Sequence, residues 1–132
     1  MVDFFCRENI LPVLVGAGEN TKNYADEFCK AYPETINLVG KCTLRETYAV
    51  MKQCDLFLGG DTGPMHMASA AEMSGAVLFF THYEPEFPIR FEPRSRSIRL
   101  LQCEYAISSN LNSVILVEAV IDSLKNVLEC EC

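Results

Sequence analysis

Apolar runs alternating with helical patterns over short connections predict an α/β fold, a Rossmann-like three-layer domain with a parallel sheet between helices. Three observations carry this. The runs ILPVLVG (10–16), INLVG (36–40), DLFLGG (55–60) and AVLFF (76–80) lack the polar alternation of a strand with one wet face, so each is expected to be covered on both sides. The segments between them carry apolar residues at helical spacing. Parallel strands cannot be joined by a tight turn, so these helices must supply the return.

The elements follow in order. The first run ends in GAGEN, a glycine-rich turn, and leads into a helix over about 21–31 with Tyr24, Phe28 and Ala31 as its stripe. After the second run, Thr43-Leu44-Arg45-Glu46 has the T-x-x-E form of a capping box, in which the two side chains satisfy each other's backbone N–H groups. Leu44, Tyr48 and Met51 are the expected stripe of that helix. The third run is followed by GGDTGPMHMASAAEMSG, where Pro64 suits a first helical turn because its φ is already helical and its missing N–H had no partner to lose. A helix over 64–74 and the fourth strand follow. IRLLQ (98–102) reads as a further strand and about 113–128 as a closing helix with Val114, Val117, Ile121 and Leu124 on one side.

With 132 residues, 49% of them hydrophobic, residues 1–132 are expected to form a single domain with a real core. A net charge of −7 disfavours nonspecific attraction to nucleic acid or anionic lipid, so a phosphate must be held locally. No apolar run approaches bilayer length and no charged segment leads into a signal-type stretch, which predicts a cytoplasmic location. The seven cysteines are odd in number and include no CxxC, poor material for disulfides or zinc; Cys130 and Cys132 form a terminal CxC that reads as a frayed helix end. No metal and no cofactor is expected.

Ligands of such sheets sit beyond the carboxyl ends of the strands, which singles out GAGEN, GKCTLRE and GGDTGPMH. A helix starting at Pro64 puts Thr62 or Gly63 at its cap and is expected to aim the N–H groups of Gly63, Met65 and His66 at the loop. A helix N-terminus carries roughly half a positive charge, worth about 0.3–1 kcal/mol to an exposed anion. Gly63 removes the side chain that would keep a phosphate away, and the Thr62 hydroxyl can donate to it. His66 adds a donor that can become cationic. Asp61 suits sugar hydroxyls better than phosphate. Ala68, Ser69, Ala70 and Ala71 let the helix approach the sheet. Plainer roles stand beside these: Asp61 or Thr62 as an N-cap alone, His66 as an ordinary histidine, Glu19 as a solvated loop acid rather than a ribose acceptor. GAGEN lacks the dinucleotide fingerprint, which needs glycine where Thr21 stands. His82 has no identifiable partner, and Arg90, Arg94 and Arg96 read as surface charge in a proline-rich loop.

LVGKCTLRETYAVMKQCDLFLGGDTGPMHMASA resembles the nucleotide-binding half of glycosyltransferase family 9, the lipopolysaccharide heptosyltransferases, whose pattern is approximately L-x-G-x-T/S-L-x-E followed by D-S/T-G-P-x-H-x-A-A-A. The likeness covers about residues 9–102. It implies the C-terminal lobe of a GT-B enzyme, with the N-terminal acceptor lobe absent. It further implies an ADP-sugar donor, an ADP-heptose above all, whose diphosphate lies on Thr62 and Gly63. Asp61 then faces the sugar, His66 supports the pocket, Glu19 in the turn opened by Gly16 takes ribose hydroxyls, and the backbone at Cys42 and Thr43 meets the adenine edge. Thr81-His82-Tyr83 departs from the family's Gly-Pro-containing loop. The family's catalytic carboxylate and phosphate-binding lysine lie outside the matching region, and Lys41 does not match that lysine.

The resemblance thus implies an inverting transfer in lipopolysaccharide or cell-envelope glycan synthesis. A base from the other lobe would activate the acceptor hydroxyl while this chain holds the leaving nucleoside diphosphate. No catalytic residue is expected in this chain, which alone would bind donor without transferring sugar. Its expected partners are the donor, the missing lobe or a partner chain, and through that lobe a glycolipid acceptor at the inner face of the cell membrane. Nucleic acid is not expected, whereas self-association through an uncovered apolar face is. Two other classes fit the same pocket, a stand-alone nucleotide-binding module without catalysis and an enzyme like a nucleotide-sugar epimerase.

Overall fold

The computed structural model describes residues 2–81, 97–104 and 119–126. They fall into two compact units, Met1–Ala49 and Val50–Cys132, each with its own parallel sheet. The fold is α/β with parallel pairing, as the sequence predicts. A single continuous sheet is expected, but among the described residues the strands pair as a set of two and a set of three.

The first unit contains α1 (Val2–Arg7), β1 (Val13–Leu14), α2 (Glu19–Ala31), β2 (Ile36–Asn37) and α3 (Leu44–Met51), the last two residues of α3 belonging to the second unit. Regular pairing of β1 with β2 spans two residue pairs, far less than the apolar runs suggest. One edge nevertheless continues. The carbonyls of Pro12, Leu14 and Gly16 accept from the N–H groups of Ile36, Leu38 and Gly40 at 2.9 Å each. The reason for the short strands is local: Pro12 has no N–H to give, and the Asn37 side chain takes the Val39 N–H at 3.0 Å, an Asx turn that bends the chain out of the strand.

α1 has no counterpart in the sequence reading, since six residues are too few to show a period. Phe4 and Phe5 are buried, and Phe5 tilts against Phe28 of α2 at 6.2 Å between ring centres. Asn9, at φ 54°, ends α1. Its N–H donates to the Cys6 carbonyl and that of Ile10 to the Phe5 carbonyl, the paired bonds of a Schellman turn. The buried Tyr32 gives its hydroxyl to the Ile10 carbonyl at 3.0 Å.

The expected helix stripes are displaced. Tyr24 is 73% exposed and Ala31 is exposed, while Ala25 is buried with Thr21, Phe28 and Cys29 half-buried beside it. The inward face of α2 is thus turned by one residue, because a small side chain at position 25 lets the helix lie close to its neighbours. In α3, Leu44 is 78% exposed and Tyr48 also faces water, whereas Thr47 and Met51 are buried.

The second unit holds β3 (Leu56–Gly60), α4 (Gly63–Ala70), β4 (Ser74–Thr81), β5 (Ile98–Glu104) and a helix at residues 119–126. The strand order is β3-β4-β5, all parallel. Its core includes Phe57, Met65, Ala68, Met73, Ala76, Val77, Ile98, Val120 and Leu124. Leu58 is 37% exposed, so β3 is not covered evenly on both faces as expected; alternation places Leu58 opposite the buried Phe57. Gly75 is paired with Phe57, and a methyl group there would fall onto the Phe57 carbonyl oxygen, so only glycine fits this approach of β4 to β3.

α4 packs on β3, and its Met65 and Ala68 are both fully buried. It ends at Ala70, four residues short of the expected bound. Glu72 takes a left-handed conformation, φ 58°, and the N–H groups of Glu72 and Met73 return to the carbonyls of Ser69 and Ala68, a second Schellman turn. In the closing helix the buried residues are Val120, Ser123 and Leu124, with Ile121 half-buried. Val114, Val117, Cys130 and Cys132, like His82, Tyr83, Arg90, Arg94 and Arg96, lie outside the described residues. No described helix is long and apolar enough to cross a membrane.

Candidate functional site

The eight residues singled out by the sequence divide evenly between the units: Gly16, Glu19, Cys42 and Thr43 in the first, Asp61, Thr62, Gly63 and His66 in the second.

In the first unit the loops after β1 and β2 meet at the carboxyl ends of their strands. The Gly40 N–H to Gly16 carbonyl bond ties them together. Gly16 and Gly18 lie at φ 146° and 100°, conformations that a side chain would strain, so the turn needs both glycines. Gly18 caps α2 without a side chain, and Glu19 occupies its first turn, exposed to solvent. An acid there is favoured by the helix dipole whether or not it also takes hydroxyls. Sequence reasoning passed over Lys22. Its chain lies across Gly40, where an added Cβ would stand 2.9 Å from the Lys22 Cε. Lys22 therefore brings an ammonium group to the joined loops, a placement with no local sequence signal because it depends on α2 folding back over β2. Lys41 instead gives its ammonium to the Asn37 carbonyl at 2.8 Å.

Cys42 is half-buried and Thr43 exposed. The capping box is formed as the sequence predicts. One Glu46 carboxylate oxygen accepts from the Thr43 N–H at 2.7 Å and from its hydroxyl at 2.8 Å, while that hydroxyl accepts the Glu46 N–H at 3.3 Å. The Thr43 N–H, followed by the Thr43 hydroxyl, holds the Glu46 carboxyl below the usual glutamate range. Both donors of Thr43 are thus spent inside the protein.

In the second unit Asp61, Thr62, Gly63 and His66 are brought together at the start of α4, all exposed, beyond the carboxyl end of β3. Thr62 is the N-cap, extended at φ −144° and ψ 172°, and its side chain makes no capping bond to the helix. Gly63 is the first helical residue; a methyl group there would meet nothing within 4 Å. Pro64 follows inside the first turn as anticipated. One expectation fails: the Met65 N–H is not directed to the loop but donates to the Thr62 carbonyl at 3.0 Å, because the first turn closes tightly over a fully buried Met65. Among the described residues no group of three or more His, Cys, Asp or Glu is placed to hold a metal ion.

The family model described as glycosyltransferase family 9 (heptosyltransferase) matches residues 4–113. The chain resembles the structure of an ADP-heptose lipopolysaccharide heptosyltransferase II from E. coli with a TM-score of 0.81 at 19% identity, over 98% of this chain and 40% of that one. It also resembles a glycosyl transferase of family 9 from Veillonella parvula with a TM-score of 0.68 at 21% identity, over 96% of this chain and 39% of that one. The chain therefore spans about two fifths of the length of each. No curated protein matches.

Proposed function

Since residues 4–113 place the chain in glycosyltransferase family 9, to which it belongs, we propose that it is the donor-binding lobe of a glycosyltransferase that uses a nucleoside-diphosphate sugar, an ADP-heptose above all. The observation that carries this reading is the start of α4. An N-cap hydroxyl not used to cap its own helix stands beside a glycine with open space above it, where the helix dipole favours an anion. There the Thr62 hydroxyl and first-turn backbone N–H groups hold the diphosphate, and His66 supplies a further donor. Asp61 takes hydroxyls of the sugar. The joined loops of the first unit take the nucleoside: Glu19 the ribose hydroxyls, the backbone at Cys42 and Thr43 the base edge.

The reaction assigned to the full enzyme is an inverting sugar transfer. A base from another lobe removes the acceptor proton, the acceptor oxygen bonds to the anomeric carbon, and the bond to the diphosphate oxygen breaks. This chain stabilises the negative charge that collects on the departing diphosphate. By itself it binds donor and transfers nothing. The acceptor is a lipopolysaccharide or related envelope glycolipid bound by the other lobe, at the inner face of the cell membrane.

The test is calorimetric titration of the full chain with ADP, UDP and NAD, beside a Thr62→Ala, His66→Ala double variant. ADP binding weakened at least about tenfold in the variant, the loss of one charge-assisted hydrogen bond or more, is the expected result. Binding of NAD alone contradicts the reading, and so does sugar transfer by the chain without a partner.

A further inference from the structure

Glu19 and Lys22 stand three residues apart at the start of α2, a spacing at which an acid and an ammonium commonly pair. Here they do not. Lys22 lays its stem on Gly40 instead: a Cβ built there would lie 2.9 Å from the Lys22 Cε and 3.8 Å from its Nζ. Among the described residues neither Glu19 nor Lys22 has a side-chain hydrogen bond or ion pair. Charged side chains close by do have partners: Asp26 accepts from the Asn37 amide at 3.5 Å, and Lys41 donates to the Asn37 carbonyl at 2.8 Å. The glycine turn before α2 is open, since a methyl group on Gly18 would meet nothing within 4 Å. The joined loops of the first unit therefore carry an unused carboxylate and an unused ammonium, both on exposed residues.

We infer that Lys22 selects for the diol of the donor's ribose: its ammonium donates to one of two neighbouring hydroxyls while Glu19 accepts from the other. This rests on the reading above that the first-unit loops take the nucleoside. A carboxylate only accepts hydrogen bonds and an ammonium only donates them, whereas a hydroxyl does either. Two adjacent hydroxyls thus satisfy both groups at once. A phosphate would suit Lys22 but meet the like charge of Glu19, and a cationic amine would suit Glu19 but meet that of Lys22. Packing of the stem on Gly40 narrows the region in which the ammonium moves, so less rotamer freedom is lost when it takes a hydroxyl. Gly40, left-handed at φ 71° and without a side chain, leaves the room for that stem.

ADP and dideoxy-ADP, which lacks both ribose hydroxyls, are the probes. Titrations of the unaltered chain and of Lys22→Met test the proposal. Methionine keeps an apolar stem over Gly40 and removes only the ammonium, and at an exposed position it opens no cavity. The unaltered chain is expected to prefer ADP by at least about tenfold, the value of one charge-assisted hydrogen bond or more. Lys22→Met should cut that preference about threefold or more by weakening ADP, while dideoxy-ADP stays within about twofold and so reports an intact fold. If Lys22→Met weakens both nucleotides equally, the ammonium acts only as a charge on the phosphates, and the proposal is wrong while the donor-site reading stands. No change in either affinity refutes it in the same way, as does an unaltered chain that binds ADP and dideoxy-ADP equally. Failure of the unaltered chain to bind either nucleotide removes the donor-site reading and the proposal with it.

Discussion

Thr43 and Thr62 each stand immediately before a helix, and they use their side chains in opposite ways. Thr43 is closed into a reciprocal pair with Glu46 three residues on, whereas the Thr62 side chain makes no bond to its helix. The difference lies in the third helical residue. At α3 it is an exposed glutamate that can fold back on the cap; at α4 it is Met65, fully buried against the sheet and without a polar atom suited to capping. The first helix start is built for stability. The second leaves its threonine hydroxyl out of the cap, and in the proposed reading that hydroxyl donates to an anion. One chain thus shows that a threonine before a helix has no fixed meaning until the residue three places later is read with its burial.

The comparison can be broken most severely by forcing α4 to resemble α3. Met65→Glu completes the T-x-x-E spacing but buries a carboxylate and removes a core side chain, so the loss should be at least the about 2–5 kcal/mol of a large-to-small core replacement. Urea unfolding measures it, and a loss under about 1 kcal/mol would show that Met65 is free to turn outward. Next in size is the paired replacement of the two threonines. Thr43→Ala should cost about 1 kcal/mol as a lost cap, and Thr62→Ala clearly less, while only the latter should weaken ADP binding through lost anion contact. Equal stability losses would erase the contrast between the two helix starts.

The smallest effect is electrostatic. The folded-state value of Glu46 lies below the ordinary 4.5, so its contribution is present above pH 4.5 and fades as the pH falls through the lower folded value. Melting temperatures of the unaltered chain and Glu46→Gln should therefore converge on acidification below pH 4.5. Curves that stay parallel throughout would mean that the carboxylate adds nothing through its charge.

The sequence made the helix starts legible because their signals are local. Thr43, Glu46 and Pro64 are found where spacing and backbone chemistry place them. The parallel pairing was legible too, from apolar runs without alternation. The inward faces of the helices were legible in part: Met51 and Leu124 are buried and Phe28 half-buried, as their stripes predict, but Tyr24 and Leu44 are exposed while Ala25 and Thr47 are buried, because closeness of approach as well as side-chain size decides which face turns inward. α1 escaped notice because its stability comes from Phe5 meeting Phe28, a contact between residues far apart in sequence. The Met65 N–H escaped notice for a related reason: tight closure of a first turn is set by what the third residue must reach in the core. Of the first-unit loops, the glycine turn was visible, but the Lys22 chain over Gly40 depends on tertiary placement and leaves no trace in spacing.

The left-handed Glu72 behind α4 bears on the front of that helix. The two hydrogen bonds that close α4 come from Glu72 and Met73, and Met73 is buried at the threshold of β4, so the rear of the helix is fastened to the strand that follows. Sliding α4 along its axis by one residue, about 1.5 Å, would pull Met73 out of the core. Thr62 and Gly63, nine or more residues before Glu72, are thus carried on a helix fastened at its opposite end, and on the proposed reading that distant fastening sets the height of the surface a diphosphate would meet.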